Sequence, residues 1–377
     1  MSFGKLSTKY RNESSYNGYD LDVLKSALQK YIRRSNPSKA IYACNELDLF
    51  FLDDKGEKIR TNLIHRLMII YLEDVSNPGL WFWLDSQITE LLQLRKDRKT
   101  LAILGKKYCD IAQQEIKIMP QIVFSLCLSK HSREGYFYRF CFFVYFTFSK
   151  KNKDKMKERF LFLNEIENDT KRTYQPKTEL VIDGIGYDIH ILINNFIGAL
   201  EQKKDIAVYF AHRIFQIDKL PTKYYNSSKP GFLIFYLINF VCNTLYKGEQ
   251  LKKLKQLISI GIKWFKELKN LKESFLCWQN IILIMIKEKD ITDYIPHEKS
   301  KELYKLYKNN IMGKIMKFDD WVYDSHTKIG RREGKDLRYF AAESSKVFNE
   351  DETINKDYKE ACNFGYFLED KKENINI

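Results

Sequence analysis

The segment LKSALQKYIRRSNPSKAIYACNEL, residues 24–47, carries the local pattern on which the predicted fold of this chain rests. Apolar residues recur at the three- and four-residue spacing of one helix face before Asn36-Pro37, and the same spacing resumes after it. Ser35 or Asn36 is suited to cap the second helix, and Pro37 fits its first turn, where a missing N–H removes no hydrogen bond. The stretch therefore predicts a helical hairpin.

The rest of the chain extends this helical pattern. We predict further helices at about residues 60–74, 79–94, 101–115 and 120–130, separated by Asn77-Pro78-Gly79 and by Met119-Pro120. A content of only 7 Pro and 16 Gly favours long helices, and 44% apolar residues indicate a folded chain. The predicted fold class is all-α, a bundle or collar-like array of helical hairpins, with a short β-hairpin near residues 178–190 as the one exception.

A linker is predicted where strand character competes with helix. Val181 and Ile182 follow Pro176 there and precede two glycines. The predicted organisation is a flexible segment at 1–20, a helical collar-like domain at 21–170, the linker at 171–190, a second helical domain at 191–315, and a polar loop with a helix and tail at 316–377.

The second domain repeats the layout of the opening hairpin. Residues 194–217 give an amphipathic helix, a short polar turn and a helix with Ala207 and Ala211 on its inner face. Lysines at 252–269 then form a basic helix surface, from which we select Lys263 and Lys266 as nucleic-acid-binding candidates. A solvated helix face is the alternative explanation for this spacing.

The net charge of the chain indicates which class of partner it attracts. The formal net charge is +14 and the isoelectric point is near 9.1, values that attract a polyanion, of which nucleic acid is the commonest for a soluble protein. The competing explanation is that an AT-rich genome enriches lysine through codon usage.

Cysteine usage indicates a reducing compartment. The 7 cysteines are scattered singly without a CxxC pair, which argues against a zinc ribbon or a disulfide framework. The first twenty residues lack the apolar core of a signal peptide. The most apolar run, residues 135–148, contains Arg139 and is shorter than the roughly 20 residues that cross a bilayer. We expect a protein of the cytoplasm or nucleus that is not secreted, has no membrane partner, and needs no metal or cofactor.

Short sequence blocks follow one another in a fixed order between residues 24 and 136. They are Ser26–Lys30, Ile32–Pro37, Ala40–Tyr42, Arg66–Leu67, Glu73–Val75, Met119–Gln121 and Leu128–Tyr136. Together they resemble the helical region behind the ATPase core in the RarA-like clade of AAA+ replication-maintenance ATPases, which includes the Werner-helicase-interacting proteins and is related to clamp loaders. The resemblance implies a region that packs subunits into homo-oligomers and carries basic surface for DNA.

The sequence lacks the motif on which the central activity of that clade depends. No GxxxxGK[ST] phosphate-binding loop occurs in the chain, so the ATPase of the family is missing. Asn36 stands where the family usually has Asp, and the segment at residues 130–133 also differs. Shared ancestry without the family's catalysis is the resulting expectation.

The opening hairpin contains three cationic candidates for phosphate contact, Arg33, Arg34 and Lys39. The alternative for Arg33 is a structural role, either at helix carbonyls or paired with Glu46. Glu73 and Asp74 end an apolar helix, where the helix dipole disfavours carboxylates, so we expect a cationic partner. Arg60 and Arg66 are the predicted partners.

The second unusual stretch is FDDWVYDSHTKIGRREGKDLRYFAAESSKVFNE, residues 318–350. A catalytic interpretation makes His326 a general base oriented by Asp324, with the arginines holding a phosphate. A binding interpretation has the cations meet a nucleic-acid backbone while Trp321 and Tyr323 stack on bases. A third interpretation is an ordered cap with a structural turn at Gly330. The nucleic-acid-binding candidates of this stretch are Lys328, Arg331, Arg332 and Lys335.

Three function classes remain. The first and favoured one is a non-catalytic accessory of DNA replication, recombination or repair that binds nucleic acid, chiefly DNA, and other replication or repair proteins. The second is an enzyme that acts on a phosphodiester or nucleotide through Asp324, His326 and Arg331. The third is a viral or plasmid assembly protein whose charge is incidental.

Overall fold

Two helices joined by a tight turn lie where the opening stretch predicts them, α1 (Leu21–Arg33) and α2 (Pro37–Asp48). The side-chain oxygen of Asn36 accepts the backbone N–H of Lys39 at 3.2 Å, and Pro37 occupies the first turn of α2. Ser35 closes the turn in the left-handed region with a φ of 51°. The predicted hairpin is confirmed.

The structure is a computed structural model, and it describes residues 14–49, 56–75, 77–107, 109–139, 167–182, 185–217, 231–268, 271–303, 305, 314–336, 339–344 and 346–347. Within these ranges there are helices and turns and no strand, which confirms the predicted all-α fold. The further α-helices are α3 (Glu57–Asp74), α4 (Pro78–Ile103), α5 (Cys109–Leu128), α6 (Glu134–Tyr138), α7 (Tyr187–Glu201), α8 (Ile206–Phe215), α9 (Gly231–Leu245), α10 (Gly248–Glu267), α11 (Leu271–Ser274), α12 (Leu276–Ile286) and α13 (Lys328–Arg332).

Three local predictions are wrong. The single helix predicted at residues 101–115 is absent, because α4 extends to Ile103 and α5 begins only at Cys109. Residues 187–190 belong to α7 rather than to a β-hairpin, because apolar residues at helical spacing, including Ile193 and Ile197, bury one face of that helix. The predicted break at Pro120 is also absent, since α5 runs through it. Met119 and Ile122 on either side are completely buried, and this packing offsets the roughly 3 kcal/mol that an interior proline costs.

The chain forms two compact units, which differ from the predicted domains. Unit 1 combines Met1–Arg133 with Asp293–Ile377, and unit 2 is Glu134–Thr292. The linker predicted at residues 171–190 lies inside unit 2, where the N–H of Tyr174 donates to the Asn195 side chain at 2.7 Å. Local composition marks irregular backbone, but long-range contacts decide to which unit that backbone belongs.

In unit 1, α1 packs along α2, α2 contacts α3 and α5, and α4 lies beside α5. Apolar faces at helical spacing meet in this core, and the following side chains in it have no exposed area: Leu24, Leu28, Ile41, Leu63 and Trp81.

A buried ionic network crosses the same helices. Arg60, with no exposed side-chain area, bonds to Asp48 at 2.5 Å and also to Glu115. Arg98 bonds to the second oxygen of Glu115 at 2.7 Å and to Glu57. Burial would raise the pKa of Glu57, but the hydrogen bond from Arg98 and the positive charges of Arg95, Arg98 and Arg60 together lower it. Such a network fixes the register of the helices because each charge needs its partner in place.

In unit 2, α7 packs against α8 and α9, and α10 packs against α9 and α12. His212 on α8 lies between the rings of Phe275 and Trp278, each 4.8 Å away, and its Nε2 is 3.2 Å from the Gln279 side-chain oxygen. Burial lowers the pKa of His212 to about 4, so this histidine is neutral in the core. None of the described helices combines the length and apolar character needed to cross a membrane.

Candidate nucleic-acid interface

A segment of unit 1, residues 314–324, lies across α1 and α2, and we call it the strap. It is irregular except for one turn of 3-10 helix at Asp320–Val322. The Tyr42 hydroxyl donates to the carbonyl of Lys314 at 2.6 Å, and the Lys30 ammonium donates to that of Val322 at 2.8 Å. Val322, within the strap, is completely buried. Side-chain donors on the hairpin therefore bind the strap through its main-chain carbonyls as well as through its side chains.

Arg33 is buried in an ion pair rather than presented to solvent. It donates to both oxygens of Asp74, at 3.2 and 3.1 Å, and Arg133 contacts the same carboxylate. Burial would raise the pKa of Asp74, but the two guanidinium groups hold it well below its usual value. A cationic partner for Asp74 is therefore present, but the predicted partners, Arg60 and Arg66, are wrong. Arg33 is 2% exposed and is not accessible to a phosphate.

Arg34 and Lys39 lie at the edge of the strap. The guanidinium carbon of Arg34 is 3.8 Å from the Trp321 ring centroid. The Lys39 ammonium is 2.6 Å from Asp319, with side chains 30% and 40% exposed. Burial would raise the pKa of Asp319, but hydrogen bonds from Lys39 and Tyr31 lower it. Both cations are engaged by the chain itself, at positions that solvent still reaches.

The predicted catalytic pair is brought together around a buried carboxylate. Oδ1 of Asp324 accepts the His326 backbone N–H at 2.8 Å and lies 3.3 Å from Nδ1 of that ring, while Oδ2 is 2.6 Å from the Lys30 ammonium. Burial would raise the pKa of Asp324, yet His326 and Lys30 hold it at about 2. Burial also lowers the pKa of Lys30 to about 7, against the opposing effect of Asp324. A side chain at Gly330 would overlap the Asp324 backbone, so this turn requires glycine.

The four cations around α13 have different surroundings. Arg331 and Arg332 are exposed, and Arg331 donates to a backbone carbonyl at 3.0 Å. Lys328 is half-buried. Lys335 is 2.6 Å from Asp320, and although burial opposes it, its acidic neighbours raise the pKa of Lys335. The two arginines are the most accessible of the predicted cations in this stretch.

A lysine stripe follows one side of α10 in unit 2. Lys252, Lys255, Ser259, Lys263 and Lys266 are three or four positions apart, so they lie on one helix face that is about 21 Å long. All but the half-buried Lys263 are exposed. The opposite face is buried through Leu254, Leu257, Ile258, Gly261, Trp264 and Phe265. We call these five residues the α10 stripe.

Local sequence patterns are sufficient to identify some residues of the candidate site and give no indication of others. Lys252 and Lys255 join the predicted Lys263 and Lys266, and their helical spacing alone could have selected them. Lys30 was not among the predicted site residues. Its carboxylate partner is Asp324, and nothing local in the sequence connects two positions so far apart.

The described residues include five cysteines and several histidines, which are common metal ligands in proteins. In the part of the chain that the structure describes, no group of three or more His, Cys, Asp and Glu side chains is placed to hold a metal ion. Cys44, Cys127, Cys242 and Cys277 are buried as free thiols, and Cys109 is exposed.

Comparison with known proteins gives no match. No family model, no curated protein and no solved structure is significantly similar to this chain. The resemblance to the RarA-like clade stays a prediction from short sequence blocks.

Proposed function

We propose that this protein is a non-catalytic accessory factor that binds nucleic acid, with DNA as the expected class, and that the α10 stripe is its main contact surface. The observation that carries the proposal is the stripe itself: four lysines on one face of a regular helix whose other face anchors it in the core. A rigid row of ammonium groups can follow a phosphate backbone without reading base sequence. The replication, recombination or repair setting, and partners from those processes, rest on the clade resemblance.

The local charge balance supports a polyanionic partner. Acidic residues of α10 stand only near its ends, and Glu249 lies 3.6 Å from Lys252 in a pair whose side chains are both 66% exposed. Such an exposed pair is weak and readily exchanged for a phosphate. At the other end of α10, the exposed Glu267 directly follows Lys266 and lies four positions after Lys263, so Lys255 is the stripe lysine farthest from an acidic residue of this helix.

The test replaces Lys252, Lys255, Lys263 and Lys266 together by Gln and measures binding of fluorescein-labelled single- and double-stranded DNA and RNA by anisotropy over a series of salt concentrations. Each phosphate contact contributes about −0.9 to the slope of log affinity against log salt on duplex DNA, so losing the four contacts of the stripe should reduce the slope by about 3.6. We expect affinity at about 50 mM salt to fall at least tenfold.

The matched control removes the same charge elsewhere, by replacing the exposed Lys58, Lys96, Lys106 and Lys107 with Gln. We expect a smaller loss of affinity from this variant. Equal losses would mean that diffuse charge, not the stripe, binds nucleic acid. Absence of binding by the unmodified protein at low salt would reject the proposed function.

A second candidate function is an enzyme acting on a phosphodiester or nucleotide. The observation favouring it is the 3.3 Å approach of Asp324 to Nδ1 of His326, whose side chain is 59% exposed. Arg331, exposed on α13, is the residue that would hold a phosphate. Replacement of His326 by Ala should abolish turnover of nucleotide or oligonucleotide substrates with folding intact; unchanged turnover would remove His326 from catalysis.

A further inference from the structure

The strap is held to the hairpin by two kinds of contact. Its inner contacts are buried: Phe318 is 2% exposed and Val322 and Asp324 are not exposed at all. Its outer contacts reach solvent, and they are Asp319 on Lys39 and Trp321 on Arg34. The inner contacts anchor the strap, so the outer ones can open without releasing it.

The outer contacts have the chemistry of bound nucleic acid. A carboxylate sits on the Lys39 ammonium at 2.6 Å, where a phosphate oxygen would sit. An indole ring covers the Arg34 guanidinium at 3.8 Å, as an unstacked base would, while the nitrogens at the edge of the guanidinium donate to the carbonyls of Glu343 and Ser344. Both cations were predicted from sequence as phosphate contacts, and in the structure the strap takes the place of the ligand.

The pair between Lys39 and Asp319 is suited to exchange. Both side chains are about a third exposed, and ion pairs with that access to water are weak. The Tyr31 hydroxyl also donates to Asp319, at 2.7 Å, and its oxygen accepts the Asp319 backbone N–H at 3.0 Å. The Asp319 backbone therefore stays in place when its carboxylate leaves Lys39.

We propose that Arg34 and Lys39 form a second nucleic-acid site in unit 1, specific for single strands, and that Asp319 and Trp321 of the strap compete with the ligand for it. This inference rests on the proposed function, because it assumes that nucleic acid is the partner. A single strand is required because a base must be unstacked to replace the indole on Arg34. The strap thereby lowers the affinity of unit 1 for single strands.

The test is Asp319→Asn in the full chain. An asparagine oxygen can still accept the hydrogen bond from Tyr31, but Lys39 loses its anionic partner and becomes available to a phosphate. We expect affinity for fluorescein-labelled oligo(dT) at low salt to rise about two- to fivefold, with the salt slope steeper by roughly one phosphate contact. Duplex DNA of equal length should show a smaller gain.

Two further variants separate this site from general charge effects. Asp290→Asn makes the same change of net charge at an exposed residue of unit 2. The double variant Asp319→Asn/Lys39→Gln should lose the gain seen with Asp319→Asn. If Asp290→Asn gives the same gain, or if the double variant keeps it, the second site is rejected while the α10 stripe stands. If the unmodified protein binds no nucleic acid, the proposed function fails first, and that outcome is read from the unmodified protein alone.

Discussion

The hairpins α1–α2 and α7–α8 have backbone turns of the same geometry, and a different segment of the chain packs against each turn. Ser35 and Lys203 occupy the left-handed position with φ of 51° and 54°. Three backbone hydrogen bonds to carbonyl oxygens close each turn, at equivalent positions. In the first turn the N–H groups of Arg34, Ser35 and Asn36 donate to Lys30, Ile32 and Tyr31, respectively. In the second turn the N–H groups of Gln202, Lys203 and Lys204 donate to Gly198, Leu200 and Ala199, respectively.

Equivalent positions in the two turns each anchor a segment from elsewhere in the chain. One position does so through a charged side chain and the other through close backbone packing. Lys30 extends a long cationic side chain to carbonyls of the strap. Its counterpart Gly198 has no side chain, and the backbone of Tyr174 packs directly onto it. The turn therefore fixes where a segment can dock, while the residue at this position decides whether charge or close packing holds that segment.

Gly198→Ala should break the second hairpin's contact most severely. The new methyl group would overlap the Tyr174 carbonyl, so the backbone must move, and we expect a loss of about 3 kcal/mol or more in the free energy of unfolding of unit 2. Urea unfolding and hydrogen exchange of α7 peptides measure it. Gly186→Ala is the control, because nothing lies within 4 Å of a methyl group there. Equal effects of the two changes would contradict the close packing.

Lys30→Met tests the ion pair with Asp324 by which the first hairpin holds the strap. It leaves the Asp324 carboxylate buried without its ammonium partner, and we expect unit 1 to lose about 2 to 4 kcal/mol. Lys58→Met, at an exposed position of α3, should change stability by less than about 0.5 kcal/mol. Adding Asp324→Asn to Lys30→Met should restore part of the loss by removing the buried charge. A double variant less stable than Lys30→Met would show that the ion pair is not the anchor.

Acid should weaken both hairpins through buried neutral histidines. His131 lies 3.3 Å from Ser35 in the first turn, His212 lies on α8, and burial lowers the pKa of each from 6.5 to about 4. Between those values the unfolded chain binds a proton that the folded chain does not, so stability is lost as pH falls from about 6.5 to 4. We expect about 1 to 2 kcal/mol per histidine between pH 7 and 5.

The measurement is urea unfolding at pH 7 and pH 5, with His212→Gln as the variant. Glutamine cannot titrate, so the pH-dependent loss in unit 2 should shrink while that of unit 1 persists. An unchanged pH dependence in unit 2 would exclude His212 as its source.

The smallest effect concerns the left-handed residues themselves. Lys203→Gly should stabilise unit 2 by about 0.5 kcal/mol, because glycine adopts positive φ without strain and the lost ion pair to Glu288 is exposed. Ser35→Gly should be nearly neutral, since the same relief is offset by loss of the hydroxyl contact to His131. Thermal unfolding of both variants measures the difference, and destabilisation by Lys203→Gly would contradict the shared turn geometry.

The hairpins were readable from sequence because their signals are local. Apolar spacing, the Asn36 cap and Pro37 act within a few residues of one another, and the hairpin at residues 24–47 followed from them. The break predicted at Pro120 failed for the opposite reason. Burial against other helices outweighed a local preference, which no single stretch of sequence reports.

The residues of the candidate site show the same difference between local sequence signals and long-range packing. Lys263 and Lys266 are exposed or half-exposed on a regular helix, where spacing alone places them on one face. Arg33 looked equally accessible in the sequence, but Asp74 and Arg133 enclose it in the folded chain. Residue type identifies a cation, whereas accessibility depends on every element packed around it.

The all-α class, the two hairpins and the basic character of the chain follow from the amino-acid sequence, because helix periodicity, capping and charge are properties of neighbouring residues. Which cations reach solvent, and the return of the strap to α1 that pairs Asp324 with Lys30, depend on the folded chain. Burial and ion pairing arise between segments far apart in the chain, and their energies depend on a water-excluded environment that only folding creates.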